Sequence, residues 1–393
     1  MIPEAFLVGG VRTPVGRYGG ALSGIRSDDL AALVLGELVT RTGIDPAVID
    51  EVIMGNTNQA GEDSRNVARM ASLLAGFPEE IPGLTVNRLC ASGLSAIILA
   101  SQMIRSGAAD VVLAGGVESM SRAPWVLAKP EKAFGRPGEI SDTSIGARFV
   151  NPRFAPTTTL SMPETAEELA RVDNITRDEA DAFALGSQER AAAAIDAGRF
   201  AAEIVPVATH NGIVEHDEGP RRETTLEALA GLRPVVRPGG IVTAGNSSTL
   251  NDGASAVLVA SERAIDRFGL TPRARIVDGA SAGVPPQIMG IGPVPATRKV
   301  LERAGWSLDD VGAIELNEAF AVQALACIRR LGLDPRIVNS DGGAIALGHP
   351  LGSSGSRIAI TLLGRMERAD APRGLATMCV GLGQGTAMLL ERV

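Results

Sequence analysis

The chain has 393 residues, enough for two or three structural units at about 100–200 residues each. Apolar residues make up 45% and charged residues 21%, so the chain can build a large core and falls outside the disordered class. Lys and Arg number 37 against 45 Asp and Glu, a net charge of −8, and no long basic run appears. No nucleic-acid partner is expected, whereas a local cationic cluster can still hold a small anion.

Cys90, Cys327 and Cys379 lie far apart, form no CxxC pair and do not cluster with His210, His216 or His349. This spacing argues against a disulfide framework and against a structural zinc site. Met1-Ile-Pro-Glu-Ala-Phe6 lacks the basic-then-apolar pattern of an export signal, and no run of about 18 apolar residues occurs. The expectation is a cytoplasmic α/β protein that does not span a membrane.

In chain order, a helix from Asp28 stops at Gly43 and a turn leads into a strand over 51–54. Thr85-Val-Asn87 enters a small-residue stretch, followed by a helix over 92–104 and a strand over 111–114. From about 119 to 242 prolines and charges gather around an Ala-rich helix over 177–197. That helix opens on the capping-box sequence Thr176-Arg-Asp-Glu179 and stops at Gly198. His210 and His216 fall in a polar turn there and read as exposed loop residues. A strand over 251–260 resumes the first unit.

The order then repeats. A helix from Pro295 stops at Gly305, a strand follows over 313–316, and Ile337-Val-Asn339 leads to a helix over 353–366 and a strand over 374–379. Residues 41–55 align with 303–317, and 85–87 with 337–339. Two pairs in one order point to a duplication: 1–118 plus 243–268 as one half, 269–393 as the other, and 119–242 as an insertion.

Cys90 sits at the strand-to-helix turn of Asn87-Arg-Leu-Cys-Ala-Ser-Gly93. Helix N-terminal N–H groups favour a thiolate there, lower its pKa and can donate to an oxyanion. An inert buried thiol is the alternative at this point. His349 lies among the glycines of 342–355 and precedes Pro350, a pattern of close backbone approach to a ligand. It occupies the second repeat's counterpart of the Cys90 turn, so pseudo-symmetry predicts that the two meet. Cys379 ends a strand in Met378-Cys-Val-Gly-Leu-Gly-Gln-Gly385. The glycine run there leads into a strand over 386–390, whereas a dinucleotide fingerprint opens a helix. Asn317 ends the repeated strand, where α/β folds present polar residues to ligands. Cys327, in an apolar helix over 319–331, reads as core.

Together these residues resemble the thiolase family from end to end. The matching motifs are 87–93, Gly115-Gly-Val-Glu-Ser-Met120, Thr243-Ala-Gly-Asn-Ser-Ser248 with Asn251-Asp-Gly253, Asn317-Glu-Ala-Phe320, 342–352 and 379–385. Thr249 stands where many members have Gly. The related condensing enzymes of ketoacyl synthesis carry His-His or His-Asn partners, so Cys379 sets this chain apart from them.

The resemblance implies an α/β duplicated thiolase fold: two similar βαβαβαββ halves packed together, with an inserted loop domain that covers CoA. It implies Cys90 as acyl-accepting nucleophile, His349 as its base and Cys379 as the acid/base for the α-proton of acetyl-CoA. Asn317, through a water, and His349 would face the enolate oxygen, and the N–H groups of Cys90 and Gly381 the thioester oxygen. The implied reaction is ping-pong cleavage of a 3-oxoacyl-CoA, or its reverse condensation, with no metal or prosthetic group and with coenzyme A as a substrate. Ser248, Met162, Phe320, Arg221 and Leu250 would contact the CoA substrate, with Arg221 and Arg222 toward its phosphates. A homodimer or homotetramer is the implied assembly.

Ser161-Met-Pro163, with 59–69 and 87–90, is most similar to the members acting on 3-oxoadipyl-CoA; acetoacetyl-CoA is the alternative substrate. Arg148, Arg153 and Arg65 are the candidates to meet a distal carboxylate. A non-catalytic lipid-binding protein on the same fold is the reading from another class, and the joint presence of Cys90, Asn317, His349 and Cys379 weighs against it.

Overall fold

Val111–Ser119 and Asn251–Ser261 are apolar runs buried at every position, the pattern of strands covered on both faces. They form the middle of a sheet seen in a computed structural model that describes residues 3–393. Met1 and Ile2, the start of the segment read for an export signal, lie outside the described residues. Across the sheet the order is Ala313–Leu316, Arg373–Val380, Gln384–Arg392, Ala274–Gly283, Ala5–Arg12, Asn251–Ser261, Val111–Ser119, Glu51–Gly55 and Gly83–Val86.

The join at the centre is narrow: Phe6 and Leu7 pair with Arg275 and Ala274. About that join the order is mirrored. Glu51–Gly55 runs parallel to Val111–Ser119 just as Ala313–Leu316 runs parallel to Arg373–Val380, and the inner pairings are antiparallel in both halves. The helices Ser27–Thr42 and Pro293–Ala304 end at Gly43 and Gly305, with φ of 69° and 67°. The halves differ at one point: 337–339 contributes a single bridge, Ile314 to Val338, where its counterpart Gly83–Val86 pairs along its length. Asn339 turns the chain at φ 47° and clasps Leu316, donating to its carbonyl and accepting from its N–H.

Apolar side chains divide into layers. Ser92–Arg105 and Leu351–Arg368 lie between the two halves of the sheet, with Leu94, Ile97, Ile358 and Leu362 fully buried among Val112, Val257, Met378 and Leu390. Ser27–Thr42 covers the outer face of the first half, and Pro293–Ala304 with Ala321–Leu331 that of the second. The inserted region carries Met162–Asp173 and Arg177–Asp196, the latter closed by the expected capping box of Thr176 and Glu179. Buried Arg12 ties this region down, donating to Glu203 and to both carboxylate oxygens of Asp217.

The two central helices touch backbone to backbone. A Cβ added to Gly93 would strike the Gly352 carbonyl and one added to Gly355 the Leu94 N–H, while one added to Gly116, on the adjoining strand, would also strike the Gly352 carbonyl. Gly116→Ala is therefore expected to lose about 3 kcal/mol or more through overpacking. Gly36→Ala, in an open helical position with nothing within 4 Å, is expected to gain up to about 1 kcal/mol. Thermal unfolding of the two variants should show Tm shifts of opposite sign.

Candidate active site

The turn before Ser92–Arg105 is held open by side chains. Leu89 adopts φ 45°, an uncommon conformation for a branched residue. Its N–H donates to Asn87 Oδ1 at 2.8 Å, and its carbonyl accepts from Ser92 Oγ at 2.6 Å. Ser92 Oγ in turn accepts from the Arg88 N–H. The bend presents Cys90 at the helix N-terminus. Burial pushes its thiol up to about 11, against the smaller downward pull of the Gly381 and Cys90 N–H groups. The expected lowering of this pKa is thus reversed, because desolvation of a thiolate outweighs two donors.

His349 stands at the matching point of the second half, just before Leu351–Arg368. Gly348 makes this possible: its φ of 110° and ψ of 169° suit glycine alone, and a Cβ would meet the Asn251 amide at 2.6 Å. Asn251 Oδ1 accepts from the His349 N–H, while its Nδ2 donates to the Gly16 carbonyl, latching the loop to the first half. Thr249 fits the same latch, donating its hydroxyl to Asn251 Oδ1 at 2.8 Å.

The imidazole tautomer follows from its neighbours. Ser354 Oγ donates to the Pro350 carbonyl, so at 2.6 Å from His349 Nδ1 it can only accept. Nδ1 therefore carries the proton, and buried Nε2 is a free lone pair with no partner among the described residues. Burial, with a smaller contribution from Arg357, lowers the imidazole pKa to about 3. Ser354 is absent from the expected site residues. Its signal was a hydroxyl in the first helical turn after His349-Pro350, within a motif read for its glycines.

Cys379 ends Arg373–Val380 and is fully buried, with its thiol pushed well above the usual range by burial and then by Cys90. The tight turn at Leu382 and Gly383 leads into Gln384–Arg392, in accord with the rejection of a dinucleotide loop. A cavity of about 470 Å³ gathers Cys90, His349, Cys379 and Gly381 on its lining. Asn317 does not reach that lining. It is 1% exposed, and both polar atoms of its amide lack a partner among the described residues. Such orphaned buried polar atoms mark a functional site or an ordered water. Glu318 anchors the strand end beside it, accepting from Ser187 Oγ, Asn339 Nδ2 and the Ile345 N–H.

Met162, Phe320, Ser248 and Leu250 line the same cavity. The Ser248 N–H donates to the Ala319 carbonyl, which ties the 247–250 loop to Asn317-Glu-Ala-Phe320. Arg221 does not line it. It belongs to an outer cavity of about 940 Å³ that shares Ala244 and 247–250 with the inner one. Arg222 pairs with Asp196 at 2.8 Å. Of the three arginines expected to meet a carboxylate, Arg148 lines the inner cavity, and exposed Arg65 and Arg153 do not. Cys327 is fully buried in the core and donates to the Gly290 carbonyl. His210 and His216 are exposed.

Thiol, imidazole, second thiol and backbone donors around one apolar cavity can perform acyl transfer with proton shuttling. The sequence matches family models for the thiolase N-terminal domain over residues 5–263 and the thiolase C-terminal domain over 270–392. It is 56% identical to a beta-ketoadipyl-CoA thiolase of Pseudomonas aeruginosa, over all of both chains. It is 57% identical to a 3-oxoadipyl-CoA/3-oxo-5,6-dehydrosuberyl-CoA thiolase of Escherichia coli, over 99% of this chain and 100% of that one. Human mitochondrial 3-ketoacyl-CoA thiolase in complex with CoA superposes with a TM-score of 0.94 at 42% identity, covering 100% of this chain and 98% of that one. The chain belongs to the thiolase family of acyltransferases.

Proposed function

We propose that the protein catalyses CoA-dependent cleavage of 3-oxoadipyl-CoA by a ping-pong route, or the reverse condensation. The observation that carries this reading is the meeting of Cys90, His349, Cys379 and Gly381 at one cavity, in a chain more than half identical to relatives named for that substrate. In the proposed cleavage, His349 Nε2 takes the Cys90 proton as the sulfur attacks the 3-oxo carbon. The bond between C2 and C3 breaks, and Cys379 protonates C2 to release acetyl-CoA. A second CoA thiol then loses its proton to Cys379 and attacks the acyl-enzyme. His349 returns its proton to Cys90 as succinyl-CoA leaves.

The N–H groups of Cys90 and Gly381 face the sulfur and are placed to stabilise the oxyanion of the thioester. Asn317, through a water, and His349 Nε2 serve the enolate oxygen. The chemistry runs on the chain's own groups, with coenzyme A as a substrate bound along the outer cavity near Arg221. Assembly as a homodimer or homotetramer is supported by the strand Gly83–Val86. It is paired on one edge only and lies near exposed Leu73, Leu74 and Leu84. No helix among the described residues is long and apolar enough to cross a membrane. Three unpaired cysteines suit the reducing cytoplasm.

Steady-state kinetics should give 3-oxoadipyl-CoA a kcat/KM advantage over acetoacetyl-CoA of roughly 10- to 150-fold, the worth of one charge-assisted hydrogen bond. Equal values would point instead to an acetoacetyl-CoA enzyme. Cys379→Ala should still take up one acetyl group on Cys90 from acetyl-CoA, read by mass spectrometry, yet cleave roughly 10²–10⁴ times more slowly.

The resting thiol sets a pH dependence. With Cys90 raised to about 11 and His349 lowered to about 3, both are neutral near pH 7. Iodoacetamide alkylation of the free enzyme should therefore accelerate steadily from about pH 6 to about pH 10 as the thiolate fraction grows. A plateau starting near pH 6 would instead reveal a thiolate–imidazolium pair.

A further inference from the structure

Among the described residues lining the inner cavity, Arg148 alone carries a permanent charge. The rest of the lining is apolar or neutral, with Leu89, Ile145, Met162 and Phe320 among the apolar side chains and Thr143 and Thr159 among the polar ones. Arg148 is half-buried, and its guanidinium has no hydrogen-bond or ion-pair partner among the described residues. Several arginines of the inserted region have a carboxylate partner, among them Arg122 with Glu62, Arg171 with Glu168 and Arg222 with Asp196, whereas Arg148 lines the cavity without one. A guanidinium partly withdrawn from water, with its donors unused, is a site waiting for an anion.

The two cavities give CoA and the acyl chain separate places. They share only Ala244 and the 247–250 loop, so a CoA lying in the outer cavity reaches the inner one there. The segment 143–148 lines the inner cavity alone. A chain bonded to Cys90 Sγ lies in the inner cavity, and a path within it from Cys90 to Arg148 follows a lining that is mostly apolar. Methylene groups suit the apolar part of that path. A terminal carboxylate suits its charged end, because the planar fork of Arg matches carboxylate geometry with two parallel hydrogen bonds.

We propose that Arg148 forms the carboxylate subsite of the acyl pocket and selects dicarboxylic 3-oxoacyl chains over neutral chains of equal length. The inference rests on the reading of the substrate as 3-oxoadipyl-CoA. It assigns the selectivity to one side chain on the inserted region, apart from the groups that make and break bonds. Acylation leaves the charge in place: the succinyl group on Cys90 keeps its carboxylate on Arg148 while the products exchange.

The test compares 3-oxoadipyl-CoA with 3-oxohexanoyl-CoA, which carries a methyl group where the first has its carboxylate. The readout is the ratio of the two kcat/KM values, measured on one preparation and so independent of how much of it folds. Arg148→Met should lower this ratio by about 10- to 100-fold. Arg148→Lys should restore part of it, since a point charge replaces the fork. Arg65→Met and Arg153→Met, at exposed positions away from the cavity, should leave the ratio where it is. A wild-type preference for 3-oxoadipyl-CoA that survives Arg148→Met would overturn the subsite and leave the substrate reading standing. A wild type with no preference would remove both.

Discussion

Everything in this molecule depends on a backbone contact between two helices at the centre of the fold. Ser92–Arg105 and Leu351–Arg368 meet near their N-termini, where Gly93, Gly352 and Gly355 leave no side chain between them. Ser255 hydrogen-bonds Ser353 and Ser356 at 2.8 and 2.7 Å, so small hydroxyl groups fill the remaining space. Contact at backbone distance leaves little freedom to slide or rotate, because every alternative position overlaps. The turns that precede the two helices are held to one another as a result, and those turns carry Cys90 and His349. The apolar layers outside this contact serve mainly to press it together.

A second constraint is electrostatic. Two helix N-termini direct their N–H groups and positive dipole ends toward one cavity, which favours developing negative charge. The thiols and the imidazole are kept neutral by burial, so the reacting groups carry no charge at rest. Apart from Arg148, charge lies in the layer behind them. Glu118 accepts from the N–H groups of Thr57, Asn58 and Gly352, yet burial still raises its pKa to about 7. Arg357 and Glu315 face each other at 3.7 Å in the core, and burial raises the Glu315 pKa to about 8. The arrangement keeps full charges away from the reacting groups until the reaction creates one.

Much of this was legible in the sequence because it rests on local signals. Gly43 and Gly305 end helices for the reason expected, and the apolar strands show as continuous runs. The duplication pairs the turns of Cys90 and His349 before any geometry is seen. What stayed hidden depends on tertiary environment. The Cys90 pKa follows from how much water the finished fold removes, which outweighs the helix terminus that could be foreseen. Leu89 gives no sign of its left-handed backbone, because neighbouring Asn87 and Ser92 impose it. Arg148, Arg65 and Arg153 are alike as letters, and only the path of the inserted chain decides which one meets the cavity. The difference between 337–339 and its counterpart in the first half was hidden too, because Asn339 turns the chain to clasp Leu316, a contact between segments 23 residues apart.

The mirrored halves also bear on how such a molecule can arise. One half alone would leave a face of its central helix without cover, so a half-length chain would need a second copy of itself to bury that face. In that symmetric pair both turns would bear the same residue, two cysteines or two histidines facing each other. A nucleophile beside its base requires the turns to differ. Fusion into one chain lifts the identity that symmetry imposes, and each turn becomes free to take its own side chain. The covalent link between the halves, at the short stretch after Phe268, is thus what permits Cys90 to have His349 as its neighbour.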